Sequence, residues 1–141
     1  MDKLYTASAT AVHGGRTGSV RSSDGKLDFK LSMPKELQGD GGEGTNPEQL
    51  FAAGYAACFE SALLMVARQK GQKIENAEVT AQVSIGKDPA DGGFQLAAVM
   101  EVKIPGMDQA TVQELAEAAH QACPYSKATR GNIQVDVKAA E

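Results

Sequence analysis

The sequence has few of the residues that crosslink or anchor a small protein. It contains two cysteines and no tryptophan in 141 residues, too few thiols for a disulfide-rich secreted scaffold. Gly, Glu or Arg interrupts its apolar stretches short of the roughly 20 residues that cross a bilayer. Its first residues, MDKLY, lack the apolar segment of a secretory signal. We therefore expect a cytoplasmic protein without a membrane partner.

The chain also lacks a basic excess. Fourteen Lys and Arg residues stand against 18 Asp and Glu, which gives a net charge of -4 with no basic run. Nucleic acid and anionic membranes are therefore poor candidate partners. Hydrophobic residues make up 42% and charged residues 23%, as is usual for globular proteins, and the length predicts a single domain over residues 1–141.

The first 45 residues predict a small antiparallel sheet. We expect a strand over 4–12, then a hairpin in which Asp24-Gly25 is the strongest turn signal of the chain. Its second strand alternates apolar and polar residues, which predicts one buried and one solvated face. The apolar residues of that strand are Leu27, Phe29 and Leu31. Residues 33–45 hold Pro34 and four glycines and predict an irregular loop.

A long helix is predicted over Pro47–Lys70. Asn46 suits its N-cap, Gln49 completes a capping-box pattern, and Gly71 suits its C-terminal end. The middle of the helix, residues 51–66, is apolar on almost every side and rich in alanine. Because a helix without a polar face is buried all round, we expect a central helix wrapped by sheet or one shared across a dimer interface.

The second half of the chain predicts a further hairpin, a second helix and a last strand. In chain order these are strands near 77–85 and 94–104, a helix capped by Asp108 that stops before Pro124, a turn over 125–131, and a strand over 133–137. No internal repeat or linker is visible. The order of strands and helices predicts an α+β domain with antiparallel sheet.

The two cysteines leave two interpretations open. Cys58 lies in mid-helix among alanines, and Cys123 lies at a helix end where the chain must bend before Pro124. Both can be inert core residues, or they can form a redox pair, since helix ends open locally. A reactive Cys58 needs a cation from elsewhere in the fold because the helix N-terminus is too distant to lower its pKa. Arg16 lies on an evident turn, but spacing alone does not choose among the four arginines.

Other chemistries lack their usual residues. The candidate zinc ligands are the two cysteines, His13 and His120, and they show no Cys-x-x-Cys or His-x-x-x-His spacing. A Gly-x-Ser-x-Gly elbow is absent, and no Lys-Ser/Thr follows the glycines of 39–44. Residue types and spacing therefore leave two alternatives: a thiol-based redox enzyme, or a non-catalytic dimeric binding module that keeps its cysteines for packing.

Two long strings carry a resemblance to a known family. TNPEQLFAAGYAACF over 45–59 and CPYSKATRGNI over 123–133 closely resemble the organic hydroperoxide resistance proteins of the Ohr/OsmC superfamily. The similarity covers essentially the whole chain, including Gly14-Gly15-Arg16 and the closing strand. The tyrosine of the first string and the Cys-Pro-Tyr-Ser of the second favour the Ohr branch over the OsmC branch.

The resemblance implies a thiol peroxidase that reduces organic hydroperoxides, including those of fatty acids, to alcohols. It further implies an intertwined homodimer, with antiparallel sheets around a long central helix and active sites at the interface. Such proteins use no metal, haem or flavin and are recharged by lipoylated proteins or another dithiol. By the same resemblance Cys58 matches the peroxidatic cysteine and Cys123 the resolving cysteine, while Arg16 and Glu48 surround the reactive thiolate.

The apolar side chains near Cys58 are candidates for a wall that favours alkyl hydroperoxides over hydrogen peroxide. For each of them, plain core packing is an equally good interpretation. They are Phe51, Tyr55, Phe59 and Met65.

The spacing of Glu48 and Cys58 carries a separate prediction. Ten positions on a straight helix separate them by about 15 Å along the axis and by roughly 80° around it. They cannot both contact one Arg16 guanidinium unless the helix breaks or the carboxylate comes from another subunit. We predict a composite site with Glu48 donated in trans, and Arg16 is a candidate to come with it.

Overall fold

Runs of strands and runs of helices follow one another along the chain, as is typical of an α+β fold. The computed structural model describes all 141 residues, which divide into two compact units over Met1–Leu50 and Phe51–Glu141. Each unit holds one three-stranded sheet. The predicted α+β class, with two small sheets and a long helix, is confirmed.

The sheet of the first unit is antiparallel and short. It comprises β1 (Ala9–Val12), β2 (Ser19–Ser22) and β3 (Asp28–Lys30), in that order. The predicted Asp24-Gly25 turn is confirmed, and Gly25 takes a φ of +74° and donates its N–H to the Ser22 carbonyl. The strand predicted over 4–12 is shorter because β2 has only four residues to pair with β1.

The outer strands β1 and β3 of this sheet are exposed and the central β2 is mostly half-buried, so the buried face predicted for residues 27–32 is wrong for the single chain. Phe29 is 48% exposed, and among the residues of this return strand only Leu31 is buried. The reason lies in the composition of the unit. Apart from the first turn of a longer helix, its only helical segments are single 3-10 turns at Gly15–Thr17 and Lys35–Leu37, which are too short to cover a sheet.

The long helix, α1 (Pro47–Gln69), begins as predicted. The side chain of Asn46 accepts a hydrogen bond from the N–H of Gln49 at 2.8 Å. The reciprocal half of the capping box does not form, because the Gln49 side chain accepts a bond from the Thr45 hydroxyl at 2.7 Å instead. The start of α1 is therefore held by two hydrogen bonds, both of which involve Gln49.

The end of α1 is also as predicted. Gly71 takes a left-handed φ of +72°. Its N–H bonds to the Arg68 carbonyl at 3.0 Å, and the next N–H, of Gln72, bonds to the Ala67 carbonyl at 2.9 Å. These two bonds form a Schellman motif, which glycine favours because it has no Cβ to oppose the left-handed conformation.

Burial along α1 is one-sided rather than complete. Six residues on one face are buried in the chain: Tyr55, Phe59, Ala62, Leu63, Val66 and Ala67. The opposite face, with Ala53, Ala57 and Met65, is exposed. By length and composition α1 could span a membrane, with a mean hydropathy of 1.7 over 18 residues. This overturns the expectation that no apolar stretch is long enough, although core helices share the property.

The second sheet is mixed rather than wholly antiparallel. β4 (Glu78–Lys87) pairs antiparallel with β5 (Phe94–Lys103), as predicted. β6 (Val135–Ala139) then pairs with β5 in parallel. The prediction of antiparallel pairing is wrong here because the segment between β5 and β6 is helical and returns the chain to the same end of the sheet, as parallel connections require.

Two helices make that connection. α2 (Gln109–Ala122) begins at Asp108, whose carboxylate accepts the N–H of Thr111 at 3.0 Å, as predicted. The turn predicted over 125–131 is instead mainly a short helix, α3 (Pro124–Thr129). Proline is well suited to the first position of a helix and holds the preceding Cys123 in an extended conformation. Cys123 therefore forms the corner between α2 and α3.

The core of the second unit is formed by α1, α2 and β5. Its fully buried large side chains are Tyr55, Phe59, Leu63, Met100, Val102, Leu115 and Cys123. The outer edge of β6 is covered by one side chain of α2. Gln113 donates to the Val137 carbonyl at 3.0 Å and accepts from the Ala139 N–H at 2.7 Å.

Candidate functional site

The structure brings the two cysteine side chains together. Both thiols are free; Cys123 is fully buried and Cys58 is partly buried. Burial raises the pKa of the Cys58 thiol, and the neighbouring thiol of Cys123 raises it further. The nearby backbone N–H of Tyr125 opposes both effects on the pKa of Cys58. No cation of the second unit is among the groups that act on this thiol.

Cys58 and Cys123 meet because their elements share one core. Cys58 lies in the middle of α1, next to the buried face that packs against α2 and β5. Cys123 lies at the corner between α2 and α3, where its extended backbone turns the side chain inward. Two cysteines can be bridged by a disulfide only when their Cα atoms lie within about 7 Å of each other.

Tyr125 is a site residue that the sequence analysis did not single out. Besides the N–H contact, its ring lies 6.3 Å from Phe51 and 5.7 Å from Tyr55, measured between ring centroids. The ring rests against Gly54, where an added Cβ would lie 2.6 Å from the Tyr125 hydroxyl. An isolated glycine in mid-helix signals such a close approach, so Gly54 was the available clue.

The four residues predicted to form the apolar wall differ in their burial and in their position relative to Cys58. Phe51 is partly buried beside the Cys58–Tyr125 contact. Tyr55 and Phe59 are completely buried in the core. Met65 is 40% exposed on the opposite face of α1, seven residues beyond Cys58, and the structure does not bring it to the aromatic group.

A buried polar chain lies beside the sulfurs and was also missed. The Tyr55 hydroxyl is 2.8 Å from the Ser126 hydroxyl and 3.3 Å from that of Thr129. Ser126 Oγ is in turn 2.8 Å from His120 Nδ1. Burial lowers the pKa of His120, and the nearby charge of Arg130 lowers it further. No sequence pattern signals this chain, because its members are up to 74 positions apart.

Arg16 and Glu48 form a second constellation, within the first unit. Arg16 Nη1 donates to Glu48 Oε2 at 2.9 Å and Nη2 donates to Oε1 at 2.6 Å. This is the two-pronged geometry in which guanidinium and carboxylate bind most strongly. The Arg16 bonds hold the pKa of Glu48 below its usual range, and the same contact raises the pKa of Arg16.

Local backbone geometry places this pair. His13, Gly14 and Gly15 all have positive φ values, of 64°, 120° and 58°, and turn the chain sharply just before Arg16. Glycine at two of the three positions makes that conformation accessible. Glu48 lies in the first turn of α1, where the helix dipole favours a carboxylate.

The candidate metal ligands are not assembled. The structure brings no three His, Cys, Asp or Glu side chains together in a cluster that could hold a metal ion. His13 belongs to the first unit, while His120 bonds to Ser126 in the second. The chemistry available at Cys58 and Cys123 is therefore that of thiols.

Comparison with known proteins relates the chain to one family. Residues 39–138 match the protein-family model of OsmC-like proteins. An organic hydroperoxide resistance protein of Xanthomonas axonopodis pv. citri is 55% identical over 137 residues, 97% of this chain and 95% of that protein.

Two solved structures support the same relationship. The organic hydroperoxide resistance protein OhrB of Bacillus subtilis is 49% identical and superposes with a TM-score of 0.90 over 98% of this chain and all of that one. An organic hydroperoxide resistance protein of Elizabethkingia anophelis, solved with thiocyanate bound, is 47% identical, with a TM-score of 0.91 over 100% and 99% of the two chains.

Proposed function

The chain belongs to the OsmC-like family and, within it, to the organic hydroperoxide resistance proteins, and on that premise we propose that it is a cysteine-dependent peroxidase. Its role in organic peroxide detoxification follows from its relatives. Its substrates are organic hydroperoxides, including those of fatty acids, which it reduces to alcohols. The observation that carries the proposal is the proximity of the free thiols of Cys58 and Cys123.

The first step takes place at Cys58, the less buried of the two thiols. Its thiolate attacks the outer oxygen of the hydroperoxide and breaks the O–O bond. Sulfur gains that oxygen as a sulfenic acid, and the remaining alkoxide takes a proton and leaves as the alcohol. The N–H of Tyr125, which lies near the sulfur, helps hold the negative charge of the thiolate.

Cys123 completes the cycle. Its thiol displaces hydroxide from the Cys58 sulfenic acid, so that a disulfide forms and water leaves. A dithiol reductant, such as a lipoylated protein, then reopens the disulfide by exchange and is itself oxidised. Proximity of the thiols before oxidation favours this closure over a second attack by peroxide, which would carry Cys58 to sulfinic acid.

Ionisation of Cys58 needs a positive charge that its own unit does not supply. Burial raises the pKa of this thiol, and we propose that the Arg16–Glu48 pair of a second copy counteracts the effect. Ten positions of continuous helix, about 15 Å, separate Glu48 from Cys58 on the same chain. Since Arg16 and Glu48 bind each other within one chain, both are donated in trans together.

A homodimer gives the exposed apolar surface of the chain a partner. Within the first unit, large apolar side chains are open to solvent, and in the second unit so is one face of α1. The exposed residues include Leu4, Tyr5, Val12, Phe29 and Met65, each at least 40% accessible, and Phe94 of β5 is exposed as well. Surface of this kind on a single chain marks an interaction site. Met65 remains a predicted wall residue, to be tested in the dimer.

The apolar wall nearest Cys58 consists of Phe51 and the Tyr125 ring, with Tyr55 and Phe59 packed behind them. Such a surface binds the alkyl part of an organic hydroperoxide and gives hydrogen peroxide nothing to contact.

Thiol counting tests the peroxidase proposal. Reduced protein is mixed with one equivalent of tert-butyl hydroperoxide, and free thiols are counted over time. We expect the wild type to lose two thiols per chain and release one equivalent of tert-butanol. Cys58→Ser should lose none, whereas Cys123→Ser should lose one and form a sulfenic acid that dimedone traps. A wild type that keeps both thiols overturns the proposal.

Arg16→Lys tests the role assigned to the guanidinium. It keeps the charge but not the two-pronged contact with Glu48, so we expect slower loss of the first thiol. A wild-type rate would remove Arg16 from the mechanism.

Mixing Arg16→Ala with Cys58→Ser chains tests donation in trans, since heterodimers should regain a site with both groups. Parallel turnover with dihydrolipoamide, thioredoxin and glutathione identifies the reductant, and dihydrolipoamide is expected to be fastest.

A further inference from the structure

The buried polar chain borders both sulfurs at the same spacing. Tyr55 precedes Cys58 by three residues on α1, and Ser126 follows Cys123 by three residues on α3. His120 precedes Cys123 by three residues in the last turn of α2. Tyr55 and Cys58 share a face of α1, because side chains three apart on a helix do so. The hydrogen bonds that join Tyr55 to Ser126 and Ser126 to His120 tie both sides of the Cys123 corner to this helix.

The protons of this chain can be assigned in one direction. The Thr129 hydroxyl donates to the Ser126 carbonyl at 3.1 Å, which leaves its oxygen free to accept from Tyr55. Tyr55 in turn accepts from Ser126, and Ser126 accepts from His120 Nδ1. The Ser126 carbonyl also accepts the backbone N–H of Arg130 at 2.8 Å, so it keeps a donor in either direction. All four contacts carry a proton only if His120 bears one on Nδ1, because each hydroxyl has a single proton to donate.

Because these hydrogen-bonded side chains are buried, they strongly constrain the position of the Cys123 corner. Tyr55 and Ser126 have no solvent exposure, and Thr129 has 5%. Every buried side-chain nitrogen and oxygen of the protein has a hydrogen-bond partner. A further hydrogen bond joins the two sides of the Cys123 corner: Arg130 Nη2 donates to the His120 carbonyl at 2.7 Å. In such surroundings, breaking one bond leaves a desolvated polar atom behind and loosens the segment that it held.

We propose that Tyr55, Ser126 and His120 are positioning residues that hold Cys123 against Cys58, so that the sulfenic acid closes into a disulfide before a second peroxide reaches it. This proposal rests on the peroxidase function proposed above. Two reactions compete for the sulfenic acid. Attack by the Cys123 thiol gives the disulfide and water, whereas attack on a second hydroperoxide gives sulfinic acid and another molecule of alcohol. Position governs only the first, because disulfide geometry tolerates little displacement of the two backbones.

A matched pair of variants at His120 tests the proposal. His120→Asn keeps a donor at the place of Nδ1, whereas His120→Leu removes it at similar size. Ser126→Ala breaks the chain at its middle. None of these changes touches either sulfur or the Arg16–Glu48 pair. In single turnover with tert-butyl hydroperoxide, loss of the first thiol is followed together with disulfide formation, dimedone-trapped sulfenic acid and sulfinic acid by mass spectrometry.

We expect His120→Leu and Ser126→Ala to lose the first thiol at the wild-type rate but to close the disulfide about tenfold more slowly, the effect of one net hydrogen bond. Sulfinic acid should rise accordingly with excess peroxide, and His120→Asn should restore closure. Thermal melting of each variant identifies one that fails to fold. The ¹⁵N shifts of His120 in reduced wild type give a readout independent of folding, and they should show the Nδ1–H form.

The outcomes separate this inference from the function on which it rests. If wild-type protein loses no thiol to hydroperoxide, the peroxidase proposal has failed. In that event closure by diamide, a direct thiol oxidant, still compares the variants. If wild type turns over but folded His120→Leu and Ser126→Ala close the disulfide as fast as wild type, the positioning role is wrong. An Nε2–H form of His120, or a His120→Asn variant that behaves like His120→Leu, also overturns it.

Discussion

Replacing Gly54 by alanine tests how closely the Tyr125 ring rests on α1. Alanine in place of glycine inside a helix gains about 1 kcal/mol of helix propensity. Its Cβ would lie 2.6 Å from the Tyr125 hydroxyl and 3.2 Å from two ring carbons, so the ring must move. Tyr125 is 39% exposed, which allows it to swing into solvent and give up its contacts with Phe51 and Tyr55.

The magnitude follows from those two contacts. Each aromatic pair stabilises by about 0.5–1.5 kcal/mol, so the displaced ring loses about 1–3 kcal/mol in total. In the wild-type background Gly54→Ala should therefore leave the unfolding free energy unchanged or lower it by up to about 2 kcal/mol. In a Tyr125→Ala background, where no ring is displaced, the same change should stabilise by about 1 kcal/mol.

The assay is a double-mutant cycle by urea unfolding at one fixed protein concentration, because association would shift the transition. The expected coupling between positions 54 and 125 is about 1–3 kcal/mol. If Gly54→Ala stabilises equally in both backgrounds, the ring does not rest on the helix, and the account of Gly54 is wrong.

Three further predictions concern stability. Arg16 lowers the pKa of Glu48, so their pairing stabilises the folded chain fully above the ordinary carboxyl pKa of about 4.3. This stability is lost as the pH falls through the lowered value. On acidification below about pH 5, wild type should therefore lose more unfolding free energy than Glu48→Gln, and an equal loss in the two proteins would refute this. Asp108→Ala should lower the unfolding free energy by about 1 kcal/mol by removing the cap at Thr111, while Asp108→Asn should retain most of it, as measured by urea unfolding. Gly71→Ala should destabilise by about 1–2 kcal/mol through its left-handed φ alone, since no atom lies within 4 Å of the added Cβ. Gly71→Asn should destabilise less. Equal melting temperatures for wild type and both variants would contradict the left-handed conformation of Gly71.

Local signals predicted local structure well. Both ends of α1 were predictable because Asn46 and Gly71 act on backbone groups a few residues away. The hairpin between β4 and β5 was predictable for the same reason. The direction of β6 was not, because alternation of apolar residues is the same in parallel and antiparallel strands. Its pairing depends on the route that α2 and α3 take, and the sequence did not reveal α3 as a helix.

Burial was predictable only in part. Alternation in residues 27–32 predicts a covered face, but Phe29 is 48% exposed in the single chain. The pattern alone does not say whether the same unit supplies the cover. The uniform apolarity of α1 carries the same ambiguity, because one face packs in the chain and the other is exposed.

The site was predictable where a residue string could be matched and not elsewhere. Both cysteines and Arg16 were visible as candidates in the sequence, whereas Glu48 and the four roles came from the resemblance. The structure joins the four residues into two pairs. The chain through Tyr55, Ser126 and His120 gives no sequence signal, because hydrogen bonding between distant residues leaves no periodicity. Their functional roles stay predictions until the experiments above are done.

The way in which Gln113 binds β6 affects how the protein resists fibre formation. An open sheet has two edge strands to which a strand of another molecule can pair, and such pairing is a route to amyloid-like fibres. At one rim of this sheet, the amide of Gln113 occupies the carbonyl of Val137 and the N–H of Ala139, as an incoming strand would. Strand addition is therefore hindered at the β6 edge, and the β4 edge is left as the more open side of this sheet.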